Sequence, residues 1–239
     1  MHLSPTIKNK LVMNSPVRLT NLLDALPRSK RTLAQRYNVT KRDIKLARLF
    51  GRHYYDGTRN QGYGGYSDDG RWIPVAINIA KTLKYSSNNS LCEIGCAKGF
   101  LINAFVDQKL VRLAFGLDAS LYALKKAQHI QNVYLIHANA INIPFFDKSI
   151  DHIISINSLH NFLDRNEIIQ ALREIQRVAK ETAYIRVASY NSIAQKLTID
   201  KWATAGRGYF HITEWLDIFN EAGFTGYYDW WHPDPDVII

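Results

Sequence analysis

From about residue 90 onward, short apolar runs alternate with stretches whose apolar positions recur at helical spacing. The runs at 90–94, 112–117, 132–137, 151–156 and 182–189 predict strands, and 98–108, 120–130 and 165–180 predict helices. Such alternation implies a mostly parallel sheet covered by helices on both faces. The end departs from it. Thr213 caps a predicted helix over 214–222, which Gly223 stops. The aromatic-rich stretch 224–231 reads as a strand. A hairpin within 224–239 would add a second, limited by Pro233 and Pro235. Before residue 90 the pattern is looser: a short helix over 21–26 stopped by Pro27, a second over 41–50, a glycine- and tyrosine-rich stretch over 54–72, and a helix over 73–83.

The stretch 91–100, Leu-Cys-Glu-Ile-Gly-Cys-Ala-Lys-Gly-Phe, reads as a strand, a glycine-bearing turn and a helix start. Gly95 and Gly99 let backbone pass close to a bound molecule. A strand feeding a helix through such a turn is where Rossmann-like sheets hold nucleotide-bearing cofactors. A second strand ends in Asp118, whose carboxylate can accept both hydroxyls of an adenosine ribose. Nicotinamide, flavin and S-adenosylmethionine sites share that geometry. Further on come Ala138-Asn139-Ala140, Ile143-Pro144-Phe145, Ile150-Asp151, Asn157-Ser158-Leu159-His160 and Glu221-Ala222-Gly223-Phe224.

This succession resembles the class I S-adenosylmethionine-dependent methyltransferases with a type 11-like core. The family's acid-x-Gly-x-Gly-x-Gly turn appears as Glu93-x-Gly95-x-Ala97-x-Gly99, and its Gly-Asp-Ala triplet as Ala138-Asn139-Ala140. The resemblance implies a doubly wound, Rossmann-like α/β sheet of seven mostly parallel strands, the last antiparallel. It implies S-adenosylmethionine as cofactor and S-adenosylhomocysteine as product. The cofactor contacts it implies are Glu93, Gly95, Cys96, Gly99, Asp118, Ala119, Asn139, Ala140 and Asn157, with Asn139 meeting the adenine through its amide oxygen.

Methyl transfer needs alignment and exclusion of water, and a hydroxyl acceptor must also lose a proton. His160 is the candidate base, although a packed or helix-capping histidine fits the same position. Two aromatic clusters outside the core motifs, Tyr63, Tyr66, Arg71 and Trp72 on one side and Trp202 and Tyr209 on the other, suit a lid around a small or glycan-like acceptor methylated at oxygen. No carboxylate cluster calls for a metal.

Charge raises a competing acceptor. Residues 1–52 hold 12 Lys/Arg against Asp24 and Asp43, a net +10, whereas the rest of the chain is nearly neutral within a total of +9. Such an arm attracts phosphates, so an RNA methyltransferase is the alternative; a solvated helical face is the plainer reading. Residues 1–72 are thus expected to form a basic helical extension with a lid segment, and 73–239 the core. No run approaches a membrane span and the N-terminus lacks a secretory apolar core; residues 1–23 contain no acid, as in a transit peptide, but arginine and serine are sparse there. Two cysteines sharing one turn read as reduced thiols, consistent with a cytoplasmic protein. The oligomeric state stays open, a homodimer included.

Overall fold

The strands form where apolar runs can be buried on both faces, as the centre of a parallel sheet demands. The computed structural model describes residues 15–19, 22–26 and 38–232. Its strands are β1 (Val17–Arg18), β2 (Ser90–Ile94), β3 (Leu113–Asp118), β4 (Val133–His137), β5 (Ile150–Ile156), β6 (Ala179–Tyr190), β7 (Phe210–His211) and β8 (Tyr227–Trp231). Its helices are α1 (Lys41–Ala47), α2 (Arg52–Asp56), α3 (Trp72–Thr82), α4 (Phe100–Asp107), α5 (Leu121–Lys125), α6 (Arg165–Val178), α7 (Ile193–Trp202) and α8 (Ile212–Ala222), with a 3-10 turn at Leu159–Asn161. The sheet order is β1-β8-β6-β5-β2-β3-β4, with β7 bonded to β6. Central β2 is buried at every position.

Each face of the sheet has its own apolar layer. On one, α6 buries Ile168, Leu172 and Ile175 beside Trp215, Ile218 and Phe219 of α8. On the other, Val75, Ala76 and Ile79 of α3 pack with Leu101, Ile102 and Phe105 of α4, joined by Leu22 and Leu23. Helices on both faces leave the carboxyl ends of β2, β3 and β5 open, which is where open α/β sheets bind ligands.

The doubly wound, mostly parallel class is as expected. Four details differ. Among the described residues every strand pair is parallel. β8 pairs directly with β6 from Tyr184↔Tyr227 to Ala188↔Trp231, and β1 takes its outer edge, so no antiparallel strand stands between them. The rest of the expected hairpin, 233–239, lies outside the described residues. The helix expected over 120–130 ends at Lys125, with Lys126 as its cap, and Asn132 turns the chain into β4 at φ +65°. His211, not Thr213, caps α8: its Nδ1 accepts the Thr213 N–H while Glu214 bonds the His211 N–H. Helix α7 is capped by Ser192, yet Ile193 and Leu197 on it are exposed, so no apolar face announced it.

Candidate active site

The turn after β2 adopts left-handed backbone at three successive odd positions: Gly95 (φ +80°), Ala97 (φ +51°) and Gly99 (φ +76°). A Cβ at Gly95 would overlap the Ser158 side chain, so glycine is needed there for space as well as φ. Ala97 carries the strain that a middle glycine would avoid. Gly99 is buried beneath the turn at the start of α4 and does not line the cleft. Its expected place at the cofactor becomes a backbone role.

Above this turn opens a cleft of roughly 1370 Å³, beyond the range of about 300–1,000 Å³ usual for one small ligand. Glu93, Gly95, Cys96, Asp118, Ala119, Asn139, Ala140 and Asn157 line it on the turn side. Tyr63, Tyr66, Arg71, Trp72, His160, Trp202 and Tyr209 also line it. The structure therefore brings together every predicted site residue except Gly99.

The polar groups differ in how they are held. Asp118 accepts the Ala97 N–H at Oδ2 and the Ser120 N–H at Oδ1, both at 2.7 Å. Burial nevertheless raises its pKa, against the pull of those two bonds. Glu93 is more exceptional. Its Oε2 is buried without a partner, and burial, reinforced by the Asp118 charge, pushes its pKa up to about 8. Asn157 Oδ1 is likewise buried and unpaired. Two orphaned acceptors beside a glycine turn are a fitting place for a ligand ammonium group, so the residues present suit the methionine end of S-adenosylmethionine. The Asn139 Oδ1 already accepts the Ile141 N–H at 3.2 Å, leaving its second lone pair for an adenine. Arg71 is not free for an anion, since Asp69 engages its guanidinium in a two-pronged pair.

His160, the candidate base, lines the cleft with one ring nitrogen already engaged. Its Nδ1 accepts the Ala188 N–H at 3.1 Å, and its carbonyl accepts the N–H groups of Arg207 (3.1 Å) and Gly208 (2.9 Å). The ring proton must therefore sit on Nε2. Burial lowers its pKa to about 3. A ring so placed presents Nε2–H as a hydrogen-bond donor. Tyr209 lies over it, ring centroids 5.2 Å apart.

Several contributors carry no local sequence signal. Buried Lys98 reaches from the turn to Asp56 of α2, Nζ 2.8 Å from both carboxylate oxygens, and to the Tyr66 carbonyl at 2.6 Å. Asp56 also accepts the Tyr66 N–H and the Tyr122 hydroxyl. This hub fixes the glycine- and tyrosine-rich stretch against the turn. Tyr66 packs on Phe100 (4.9 Å) and Tyr63 (4.5 Å), and Tyr63 stacks on Tyr55. At the far end, Arg186 Nε is buried 3.8 Å from Asp229, and His232 lines the cleft.

A parallel, doubly wound sheet with a glycine turn, a strand-end acid and orphaned acceptors at its carboxyl edge defines a nucleotide-cofactor enzyme fold. Residues 92–187 match the family model described as "Methyltransferase domain". Over those residues the chain is similar to a methyltransferase domain, and S-adenosylmethionine is the cofactor which that likeness points to. An uncharacterized protein of Methanocaldococcus jannaschii is 36% identical over 130 residues, 54% of this chain and 47% of that protein. The demethylmenaquinone methyltransferase of Staphylococcus haemolyticus is 38% identical over 69 residues, 27% of this chain and 28% of that enzyme. The chain thus spans about half or less of these curated relatives. The YcgJ protein of Bacillus subtilis shares the fold, with a TM-score of 0.51 at 22% identity over 62% of this chain and 66% of that one. Among the described residues no helix is long and apolar enough to cross a membrane.

Proposed function

We propose that this protein methylates a small polar, glycan-like acceptor, at a hydroxyl oxygen, using S-adenosylmethionine. The observation that carries this reading is the cleft, which extends from the cofactor turn into a chamber bordered by Tyr63, Tyr66, Trp72, Trp202 and Tyr209. Its volume exceeds what one ligand needs, and aromatic faces with polar edges suit a sugar or polyol. When bound, S-adenosylmethionine supplies an electrophilic methyl group on a sulfonium centre. Glu93 and Asn157 hold its ammonium end, Asp118 its ribose, and Asn139 with Ala119 and Ala140 its adenine. Cys96 and Gly95 form the floor, as backbone. Residues 54–71 supply the lid, whereas Val17–Arg18 and Leu22–Leu23, expected to belong to the extension, pack with the core. Tyr63 and Tyr66, latched by Lys98 and Asp56, exclude water from the reacting atoms. His160 offers its Nε2–H to the acceptor. Buried thiols without a disulfide at Cys92 and Cys96 support a cytoplasmic setting.

Calorimetry with S-adenosylhomocysteine, followed by its release assayed over a panel of sugars, polyols and phenols, tests the reading. Binding plus turnover of a hydroxyl acceptor is expected; no binding overturns the cofactor. Turnover confined to RNA would favour the alternative that the +10 of residues 1–52 supports. Its mark would be steep salt dependence of RNA binding, lost on deleting residues 1–40.

A further inference from the structure

Two imidazoles in this cleft are anchored to adjacent residues of β6, in opposite senses. His160 Nδ1 accepts the Ala188 N–H. His232, directly after β8, has its Nδ1 2.9 Å from the Ser189 carbonyl oxygen. A backbone N–H only donates and a backbone carbonyl only accepts, so these contacts fix the tautomers. His160 carries its proton on Nε2. Neutral His232 carries its proton on Nδ1 and keeps the lone pair on Nε2. The register Ala188↔Trp231 brings the residue after β8 beside Ser189, so sheet pairing itself sets this contact. Both residues line the same cleft. Their exposure differs: His160 is buried, whereas His232 is half-buried and open to solvent for passing on a proton.

We propose that His232 Nε2 is the proton acceptor for the substrate's nucleophilic group, an inference that rests on the methyltransferase reading above. As the acceptor oxygen forms its bond to the methyl carbon, the sulfur–carbon bond breaks and its electron pair stays on sulfur. The hydroxyl proton passes to His232 Nε2, and the resulting imidazolium releases it to water. The positive charge lost from sulfur thus reappears on the ring, where Nδ1–H remains hydrogen-bonded to the Ser189 carbonyl. His160 Nε2–H meanwhile orients the acceptor from the other ring. Donor and acceptor are each held in one state by the backbone of a single strand.

The test has two arms on the full chain. Long-range proton–nitrogen spectra of histidine-labelled protein, assigned with His232→Gln, should show the Nδ1–H tautomer for His232 and the Nε2–H tautomer for His160. An Nε2–H tautomer at His232 overturns the proposal without any turnover being measured. In the second arm, His232→Gln should lower kcat about 100-fold on whichever sugar, polyol or phenol of the panel is methylated. Calorimetric affinity for S-adenosylmethionine should stay within about twofold, and imidazole added to His232→Ala should restore part of the rate. A kcat within about threefold of the parent would also overturn it. Failure of the unsubstituted protein to bind S-adenosylmethionine would instead overturn the proposed function, and the spectra alone would then decide the state of His232.

Discussion

The proposed contact of Glu93 with the cofactor's ammonium group predicts that cofactor binding is proton-linked. In the free protein its carboxyl is buried, unpaired at Oε2 and protonated until about pH 8. A ligand ammonium group favours the carboxylate, so binding must expel the proton. If the bound pKa falls to about 4.5 or lower, affinity rises about ninefold from pH 6 to 7, or about 1.3 kcal/mol, with nearly one proton released per molecule bound. The ligand's own α-amino group, with a pKa of about 7.7–8.0, stays charged over that interval. Calorimetry with S-adenosylhomocysteine in buffers of different ionisation enthalpy measures the release directly. Glu93→Gln should bind more weakly and lose the slope. The same substitution should stabilise the free protein in base. The carboxyl is ionised in the unfolded chain above its ordinary value of 4.5 but protonated in the fold until about 8. Its stabilising contribution is therefore full below about pH 4.5 and is lost as pH rises through 8. Thermal midpoints should show Glu93→Gln gaining on the parent at high pH. Equal pH slopes for parent and variant, or no proton release, would refute this account.

Ala97→Gly should raise the thermal midpoint by about 2 °C: left-handed backbone costs an alanine about 1–2 kcal/mol, of which glycine's extra chain entropy returns roughly half. A midpoint unchanged or lowered would show that Ala97 is not strained. Lys98→Met should destabilise the protein by about 2 kcal/mol, because Asp56 loses its cation while staying partly buried. Trypsin should then cut the 57–71 stretch faster, and parent-like cleavage would discard the latch. Asp118→Ala should weaken S-adenosylhomocysteine binding about 10- to 100-fold through two lost charge-assisted bonds to ribose. Unchanged affinity in the same calorimetric assay would remove Asp118 from the site.

What could be read from the sequence was whatever is decided within a few residues. Burial on both faces makes β2 and β5 apolar runs, and the turn that follows β2 must place Gly95 at φ +80° against Ser158. Both leave a local mark. Lys98 and Asp56 leave none, because their pairing closes across 42 residues, and neither neighbourhood says that a lysine is buried. Helix α7 hides for the opposite reason: its exposed face is apolar, so its period is blurred. The same division runs through the chemistry. That a histidine follows β5 was legible, and its role was not, since its proton is placed by the Ala188 N–H 28 residues away. His232 stands in an aromatic-rich terminal stretch with no motif around it, and its free nitrogen is set by a carbonyl 43 residues distant. Residue type fixes which atoms can exchange protons. Which nitrogen of each imidazole carries the proton is decided by the Ala188 N–H and the Ser189 carbonyl of β6, so the proposed division of roles has to be argued from backbone hydrogen bonds rather than from position in a motif.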